Sequence, residues 1–174
     1  MASTIKVNTL ESASGTDITI PTGKKLVVTD AGALSAPGMV VNVVTEHTDA
    51  NTIVSTASYV ATNLSVSYTP KKAGNLIIIQ TNMGADTNAA NRSLRATIFR
   101  DSTDLGSSNG NGSATQQYAA GGRLFSQGNV IAVDSNVTAA ARTYSVQVKA
   151  GGSYTVEGDG TGGRKTMIIT EIAQ

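Results

Sequence analysis

Residues 62–84, TNLSVSYTPKKAGNLIIIQTNMG, constrain the fold more than any other stretch of this chain. Every second residue from Leu64 to Tyr68 is apolar, which is typical of a strand with one face on a core and one in water. The proline and glycine in PKKAG predict a turn. Residues 75–82 follow with four consecutive large aliphatic side chains, which predicts a strand covered on both faces. The stretch is interpreted as a β-hairpin with one half-exposed arm and one fully buried arm, as a two-sheet sandwich requires.

Further strand patterns recur along the chain, at residues 39–46, 93–101, 116–118, 129–137, 142–149 and 165–172. Tracts rich in Gly, Ser, Asn and Asp separate them, and these residue types favour turns. No segment of about ten residues shows helical periodicity. The sequence therefore predicts an all-β fold, an antiparallel two-sheet sandwich of about eight strands.

Residues 1–38 differ from the rest because their three short strand patterns carry few large side chains. Strands of this kind cannot form a stable core alone. Three arrangements remain open: the segment lies on the main domain, three copies wind together, or it docks on another protein. The chain is accordingly divided into an N-terminal segment, residues 1–38, and a main domain, residues 39–174.

The charge balance argues against two classes of partner. Lys and Arg number 13 and Asp and Glu number 12, so net charge favours neither nucleic acid nor a membrane surface. No segment approaches the roughly 20 apolar residues of a membrane-spanning helix, and no signal-peptide pattern is present. Synthesis in a cytoplasm is expected. Because the chain has no Cys, it has neither disulfides nor Cys-based metal sites.

Two glycine-rich stretches imitate motifs of enzymes. Residues 106–110, GSSNG, match the nucleophile elbow around Ser108, but no helix pattern follows and the sole histidine, His47, is predicted to lie in a polar loop. Residues 158–166, GDGTGGRKT, approach a P-loop, but Arg164 interrupts the motif and a strand pattern follows. The sequence predicts no catalytic residue, no cofactor and no enzymatic activity.

Carboxylate and amide side chains recur in the predicted loops, but not at the density that a calcium-binding loop needs. These side chains are interpreted as solvated turn residues. The alternative is that they hold a cation at the end of the sandwich where its loops come together. His47 could contribute to a metal site on a symmetry axis, although a single loop histidine is ordinarily solvated. The sequence therefore predicts no metal site.

Several stretches resemble a known family. SVSYTPKKAGNLIIIQ, TYSVQVKA and KTMIITEIA resemble the C1q/TNF-type jelly-roll modules that end many phage fibre and virion surface proteins. The N-terminal STIKVNTLESASG, followed by ITIPTGKKLVV, is similar to the starts of structural proteins from marine tailed phages. The resemblance implies a jelly roll of about eight strands preceded by a short N-terminal anchor that contains a β-hairpin.

The resemblance also implies a homotrimer. An inner sheet of residues 39–46, 75–82, 129–137 and 165–172 would face the three-fold axis, and residues 64–68, 94–99 and 144–148 would form the outer sheet. Candidate trimer-interface residues are Val41, Val43, Ile77, Ile79, Ile131 and Ile169. Candidate docking residues that attach the N-terminal segment to the virion are Ile5, Val7, Leu10, Ile18, Ile20, Leu26 and Val28.

The function that follows is that of a non-enzymatic structural protein in a tailed-phage virion, made in the host cytoplasm. It would form a short trimeric surface appendage, a capsid decoration (cement) protein or a short tail fibre, and its partners would be itself and phage capsid or tail proteins. The alternative is a receptor-binding module of a tail fibre that recognises a host glycan. Its candidate ligand-contact residues are in the tip loops: Asn109, Asn111, Tyr118 and Asp159.

Overall fold

The computed structural model describes residues 20–27, 36–87, 92–106, 116–119, 124–135, 137–150, 154–157 and 164–174. Within these ranges the chain is all-β and its strands form two antiparallel sheets that pack face to face. The strands are β1 (Val40–Thr48), β2 (Thr52–Val54), β3 (Val60–Tyr68), β4 (Leu76–Thr87), β5 (Arg92–Arg100), β6 (Thr103–Asp104), β7 (Gln116–Ala119), β8 (Leu124–Asp134), β9 (Arg142–Ala150), β10 (Tyr154–Glu157) and β11 (Lys165–Ile172).

The first sheet is built around β4, the longest strand. β8 pairs with β4 along its full length on one side. On the other side β11 pairs with the first half of β4, and β10 continues along the same edge and carries β2 with it. β1 pairs with the outer edge of β11. The main strand order of the first sheet is therefore β1-β11-β4-β8.

The second sheet has the order β3-β9-β5, with β7 and then β6 on the far edge of β5. Four strands of each sheet, β1-β11-β4-β8 and β3-β9-β5-β7, thus face each other across the sandwich. This arrangement confirms the predicted antiparallel jelly-roll sandwich. The strands predicted for the inner and outer sheets fall in the first and second sheets respectively.

The core lies between the sheets and is made chiefly of alternate residues of β3, β4, β5, β8, β9 and β11. In β3 and β5 these are the apolar positions that the period-two pattern predicts, and all of them are buried. The hydrophobic residues exposed by 1% or less are Val54, Leu64, Ile77, Ile79, Met83, Leu94, Ala96, Ile98, Val130, Tyr144, Val146, Val148, Met167 and Ile169. Aliphatic side chains therefore make up most of a core that holds few aromatic rings.

The predicted hairpin over residues 62–84 is wrong in one respect. Both of its strands are present, but β3 pairs with β9 in the second sheet, whereas β4 pairs with β8 and β11 in the first. The turn around Gly74, which adopts a φ of 84°, carries the chain from one sheet to the other. The physical reason is burial: the apolar sides of both strands face the same core, which they enclose from opposite sheets.

Only part of the N-terminal segment lies within the described residues. A turn follows Pro21, since the amide of Lys24 donates to the Pro21 carbonyl at 3.0 Å, and Gly23 has a φ of 79°. Residues 24–27, which belong to the third strand pattern predicted in this segment, are not in a strand. Among the described residues, no helix has the length and hydropathy to cross a membrane.

Candidate functional site

The first sheet presents a largely apolar face on the side away from the core. We call it the outward face of the first sheet. Side chains alternate along each strand, so this face takes every second residue of β1, β4, β8 and β11. Its apolar members are Val40, Val43, Leu76, Ile78, Ile131, Val133, Ile168 and Ile172. Val43, Ile131 and Val133 are each just over half exposed.

The strand register arranges this face in rows across the sheet. One row runs Val133, Ile78, Thr170, Val43, and the next runs Ile131, Gln80, Ile168, Thr45. The third row is polar: Asn129, Asn82, Thr166, His47. The face is therefore apolar near the start of β4 and becomes polar towards the middle of that strand.

A shallow pocket lies where the apolar and polar rows meet. It has a volume of about 270 Å³ and is lined by side chains that include Gln80, Asn129, Ile131, Thr166 and Ile168. The amides of Gln80, Asn82 and Asn129 and the Thr166 hydroxyl give it hydrogen-bonding groups, and the two isoleucines give it apolar surface. Such a mixed depression is suited to receive side chains of another protein surface.

Three of the predicted trimer-interface residues are not on this face. Ile77, Ile79 and Ile169 are fully buried in the core between the sheets, so they cannot contact a second chain in the folded protein. Their outward neighbours Ile78 and Ile168 take the surface positions. The error has a simple cause, because a run of consecutive aliphatic residues does not reveal which of its two alternating sets points inward.

The other predicted interface residues do reach the surface. Val43 and Ile131 lie on the outward face of the first sheet. Val41 is half-buried at an irregularity in β1, where the register with β11 shifts between Val40 and Asn42. The prediction that both faces of β4 are covered does not hold within the single chain, since Gln80 and Asn82 on its outward side are exposed.

A buried carboxylate lies at the end of the sandwich where the chain crosses between sheets. Glu171 of β11 is fully buried and accepts a hydrogen bond from the hydroxyl of Tyr68. It also accepts from Nδ2 of Asn75 at 2.7 Å and from the backbone amides of Lys71 at 2.9 Å and Lys72 at 3.3 Å. Burial raises the pKa of the Glu171 carboxyl, but these donors outweigh it and the net pKa is lowered.

A second buried carboxylate joins β8 to the opposite sheet. Asp134 is 2% exposed; its Oδ1 lies 2.7 Å from Nη1 of Arg100, and its Oδ2 accepts from the Tyr144 hydroxyl at 2.9 Å. Burial, reinforced by this hydrogen bond, raises the pKa of Tyr144. Arg100 and Tyr144 belong to β5 and β9, so this cluster ties the two sheets together. In both clusters a buried carboxylate of the first sheet accepts a hydrogen bond from a tyrosine of the second sheet.

The charged side chains of the loops form surface contacts. Arg164 pairs with Asp49, with Nε 2.9 Å from Oδ1, and lowers the pKa of that exposed carboxyl. The next residue, Lys165, is fully buried and its Nζ donates to the carbonyl of Ala50. His47 lies on β1 and is exposed, so its predicted loop position is wrong. Across the described ranges, no three His, Asp or Glu side chains come close enough to hold a metal ion.

Many of the remaining predicted site residues fall outside the described ranges. Among the docking candidates, Ile20 and Leu26 are described and exposed, at 47% and 62%. Tyr118 lies on β7, in register with Ser93 of β5. The candidates that lie outside the described residues are Ile5, Val7, Leu10, Ile18, Val28, Asn109, Asn111 and Asp159, together with the rejected nucleophile Ser108.

The second sheet carries a basic and aromatic cluster that sequence reasoning missed. Arg95 of β5 and Lys149 of β9 are direct cross-strand partners, and Lys149 lies over the ring of Tyr59. In the sequence the three residues are far apart and each is unremarkable by itself. The only signal was the alternation of residues 93–101, which placed Arg95 on the wet side of its strand.

Comparison with known proteins adds no assignment. No protein-family model matches the chain, and no curated protein is significantly similar to it.

Proposed function

We propose that this chain is a non-enzymatic structural subunit that assembles into a homotrimer through the outward face of the first sheet. The trimer is a short surface appendage of a tailed-phage virion, a capsid decoration protein or a short tail fibre. The observation that carries the proposal is the apolar end of that face, with Val43, Ile131 and Val133 each just over half exposed. The three-fold arrangement and the virion setting come from the resemblance to phage C1q/TNF-type modules.

The composition of the face supports an interface between protein chains. Its apolar end exposes Val43, Ile131 and Val133 and is bordered by polar residues. Exposed apolar patches rimmed by polar residues mark sites of interaction with other chains. Most soluble oligomers are closed assemblies of identical chains. The mixed pocket where the apolar and polar rows meet provides hydrogen-bonding groups that are able to set the register of the contact.

The buried clusters support a structural role over catalysis. The carboxylates of Glu171 and Asp134 are the deeply buried acids of the described chain, and both are occupied by donors from the opposite sheet. A general acid or base must reach a substrate, which these groups do not. We therefore assign these buried carboxylates the role of holding the two sheets together.

The solution mass of the full-length chain tests the assembly. Light scattering behind a sizing column is expected to give three chains, and Ile131→Lys together with Ile168→Lys is expected to give one. Ala61→Lys together with Ser65→Lys is the matched control, because it adds the same two charges at exposed positions on β3 of the second sheet. A monomeric or dimeric wild type would overturn the trimer, and a trimeric double variant would move the interface elsewhere.

Location on the particle needs a separate experiment. Gold-labelled antibodies against the protein, viewed on intact phage by electron microscopy, are expected to decorate either the capsid or the tail. Decoration of the capsid would assign the cement role, and decoration of the tail would assign the fibre role. Absence of the protein from purified particles would overturn the virion proposal while leaving the trimer intact.

The second candidate function, a receptor-binding module that recognises a host glycan, is favoured by one observation. Arg95, Lys149 and Tyr59 form a basic and aromatic row on the second sheet, on the side away from the proposed interface. A trimer built through the first sheet would display three such rows to solvent. Three identical weak sites on one particle would strengthen binding through multivalency.

A further inference from the structure

The three rows on the outward face of the first sheet carry almost no charge. They hold four residues each, and none of these residues is Asp, Glu, Lys or Arg. Glu46, Lys165 and Glu171 belong to the same strands, but they occupy the alternate positions on the core side of the sheet. Charged residues are depleted at the centre of protein interfaces. The one titratable side chain in the three rows is therefore His47.

A contact through this face has to include the polar row as well as the two apolar rows. A stable interface of standard size takes about 20 to 30 residues from each chain. The three rows together hold only twelve residues, four in each, so the interface extends over all of them. His47 is exposed in the single chain and lies beside Thr166, which lines the pocket where the rows meet. Assembly through this face therefore takes the imidazole of His47 out of water.

The surroundings of His47 bring it little compensating charge. Its neighbours across the row on β11 and β4 are the neutral Thr166 and Asn82, and β3, which packs on the core side of β1, has no charged residue. The acid within electrostatic reach is Asp49, whose pKa is lowered chiefly by its hydrogen bond from Arg164 and also by attraction to His47. Arg164 holds both oxygens of Asp49, with Nε 2.9 Å from Oδ1 and Nη2 3.2 Å from Oδ2. This pair has no net charge, so the loss of water is the main effect of assembly on His47.

We infer that His47 makes the assembly of this protein sensitive to pH, so that the trimer is stable at neutral pH and dissociates in mild acid. The inference rests on the proposed homotrimer. Histidine is the side chain that ordinarily changes its charge between pH 5 and pH 8, and the chain has one histidine. Removing a charged imidazole from water costs free energy, and copies that meet through the three rows bring no carboxylate to pair with it. The separated chain therefore takes up the proton more readily than the trimer does, and acid favours separation.

Sedimentation equilibrium of the full-length protein at about pH 7.5 and about pH 5.5 tests the inference. EDTA in every buffer keeps trace metal ions from contributing. The protein concentration at which half of the trimer dissociates is expected to be at least about tenfold higher at the lower pH. The lowered pKa of Glu171 keeps that carboxyl ionised over this interval, so the link between the sheets that it supports is unchanged.

Three variants separate His47 from the other groups that titrate in this interval. His47→Gln keeps a polar side chain that cannot take up a proton, so its association should be the same at both pH values. His47→Lys carries its charge at both pH values and should weaken the trimer already at neutral pH. The double variant His47→Gln with Ala61→His is the matched control, because it moves the histidine to an exposed position on β3 of the second sheet. Its association should not depend on pH, since that position lies outside the proposed interface.

The results that would overturn the inference differ from the result that would overturn the trimer. A wild type that is equally trimeric at both pH values, or a His47→Gln variant that weakens in acid as much as the wild type, would remove the role of His47 and leave the trimer in place. A His47→Lys variant that is trimeric like the wild type at neutral pH would place the residue outside the interface. A wild type that is monomeric at both pH values would overturn the proposed trimer and the inference with it. Circular dichroism at both pH values confirms that each variant is folded.

Discussion

The hydroxyl of Tyr68 donates a hydrogen bond to the buried carboxylate of Glu171, and this contact joins the two sheets at one end of the sandwich. Tyr68 is the last residue of β3, and Glu171 lies near the end of β11. Nδ2 of Asn42 donates to the same hydroxyl at 3.3 Å, so β1 takes part as well. The crossing turn is held by the same carboxylate through the amides of Lys71 and Lys72.

Stability is expected to fall in acid because of Glu171. Its net pKa in the folded state lies below the ordinary value of 4.5, whereas the unfolded chain keeps that ordinary value. The unfolded chain therefore takes up the proton first as the pH falls. The stabilisation is complete above about pH 5 and is lost as the pH falls through the folded-state pKa. Urea unfolding at a series of pH values, at one protein concentration, measures this decline.

The variant Glu171→Gln separates the contribution of this carboxylate to the pH dependence of stability from the contributions of the other acids of the chain. The variant keeps the size of the side chain but removes the charge that four donors surround, so the unfolding free energy at neutral pH should drop by about 2 kcal/mol. The decline in acid should become shallower than in the wild type. Glu46→Gln, at an exposed position on β1, is the control and should change neither quantity. An undiminished acid dependence in Glu171→Gln would assign the effect to other carboxylates.

The hydroxyl of Tyr68 is expected to ionise only at high pH. Burial, reinforced by the hydrogen bond to Glu171, raises its pKa to about 12. Since the pKa is higher in the folded state, the stabilisation is present below the ordinary value of 10.0 and is lost as the pH rises towards 12. Ultraviolet absorbance should show the phenolate of Tyr68 only at this high pH. Titration of the wild type against Tyr68→Phe isolates its signal, and a Tyr68 transition near the ordinary value would contradict the buried contact.

Asp134→Asn is expected to weaken the link between β8 and the second sheet. The change leaves the guanidinium of Arg100, which is 21% exposed, beside a neutral amide, and it alters the acceptor of the Tyr144 hydroxyl. Loss of one partner from a largely buried ion pair should lower the unfolding free energy by about 3 kcal/mol.

The exposed pair between Asp49 and Arg164 provides the control for this variant. Their side chains are 50% and 57% exposed, so salt and water screen their attraction. Asp49→Asn should therefore cost much less stability than Asp134→Asn, and added salt should remove the difference from wild type. Equal losses for the two variants would show that burial does not distinguish them.

Ile79 and Ile131 are expected to respond differently to truncation because they point to opposite sides of the first sheet. Ile79→Ala leaves a cavity in the core and should cost about 3 kcal/mol of unfolding free energy at any protein concentration. Ile131→Ala removes a side chain that is 53% exposed. Its cost should appear in assembly and vary with protein concentration. Denaturation at two concentrations, together with sedimentation equilibrium, measures both, and equal concentration-independent losses would contradict the assignment of faces.

The inward residues of β3 and β5 could be predicted from the sequence, because only one of the two alternating sets is apolar. In β4 the run from Leu76 to Ile79 is apolar throughout, so its pattern predicted the strand without indicating which side faces the core. The same ambiguity placed Ile169 of β11 at the surface when it is fully buried. The charged pair of Arg95 and Lys149 could not be predicted, because it depends on the register of two distant strands.

The amino-acid sequence by itself determined the fold class, the positions of the longer strands and the turns marked by proline and glycine, since these depend on local periodicity and backbone preference. Only the tertiary structure decided which strands pair, and therefore which aliphatic residues form the core and which form the outward face. Backbone hydrogen bonds between strands are alike for any sequence, so they do not select a partner. Contacts such as that between Tyr68 and Glu171, 103 residues apart, form only when the two sheets close on a common core.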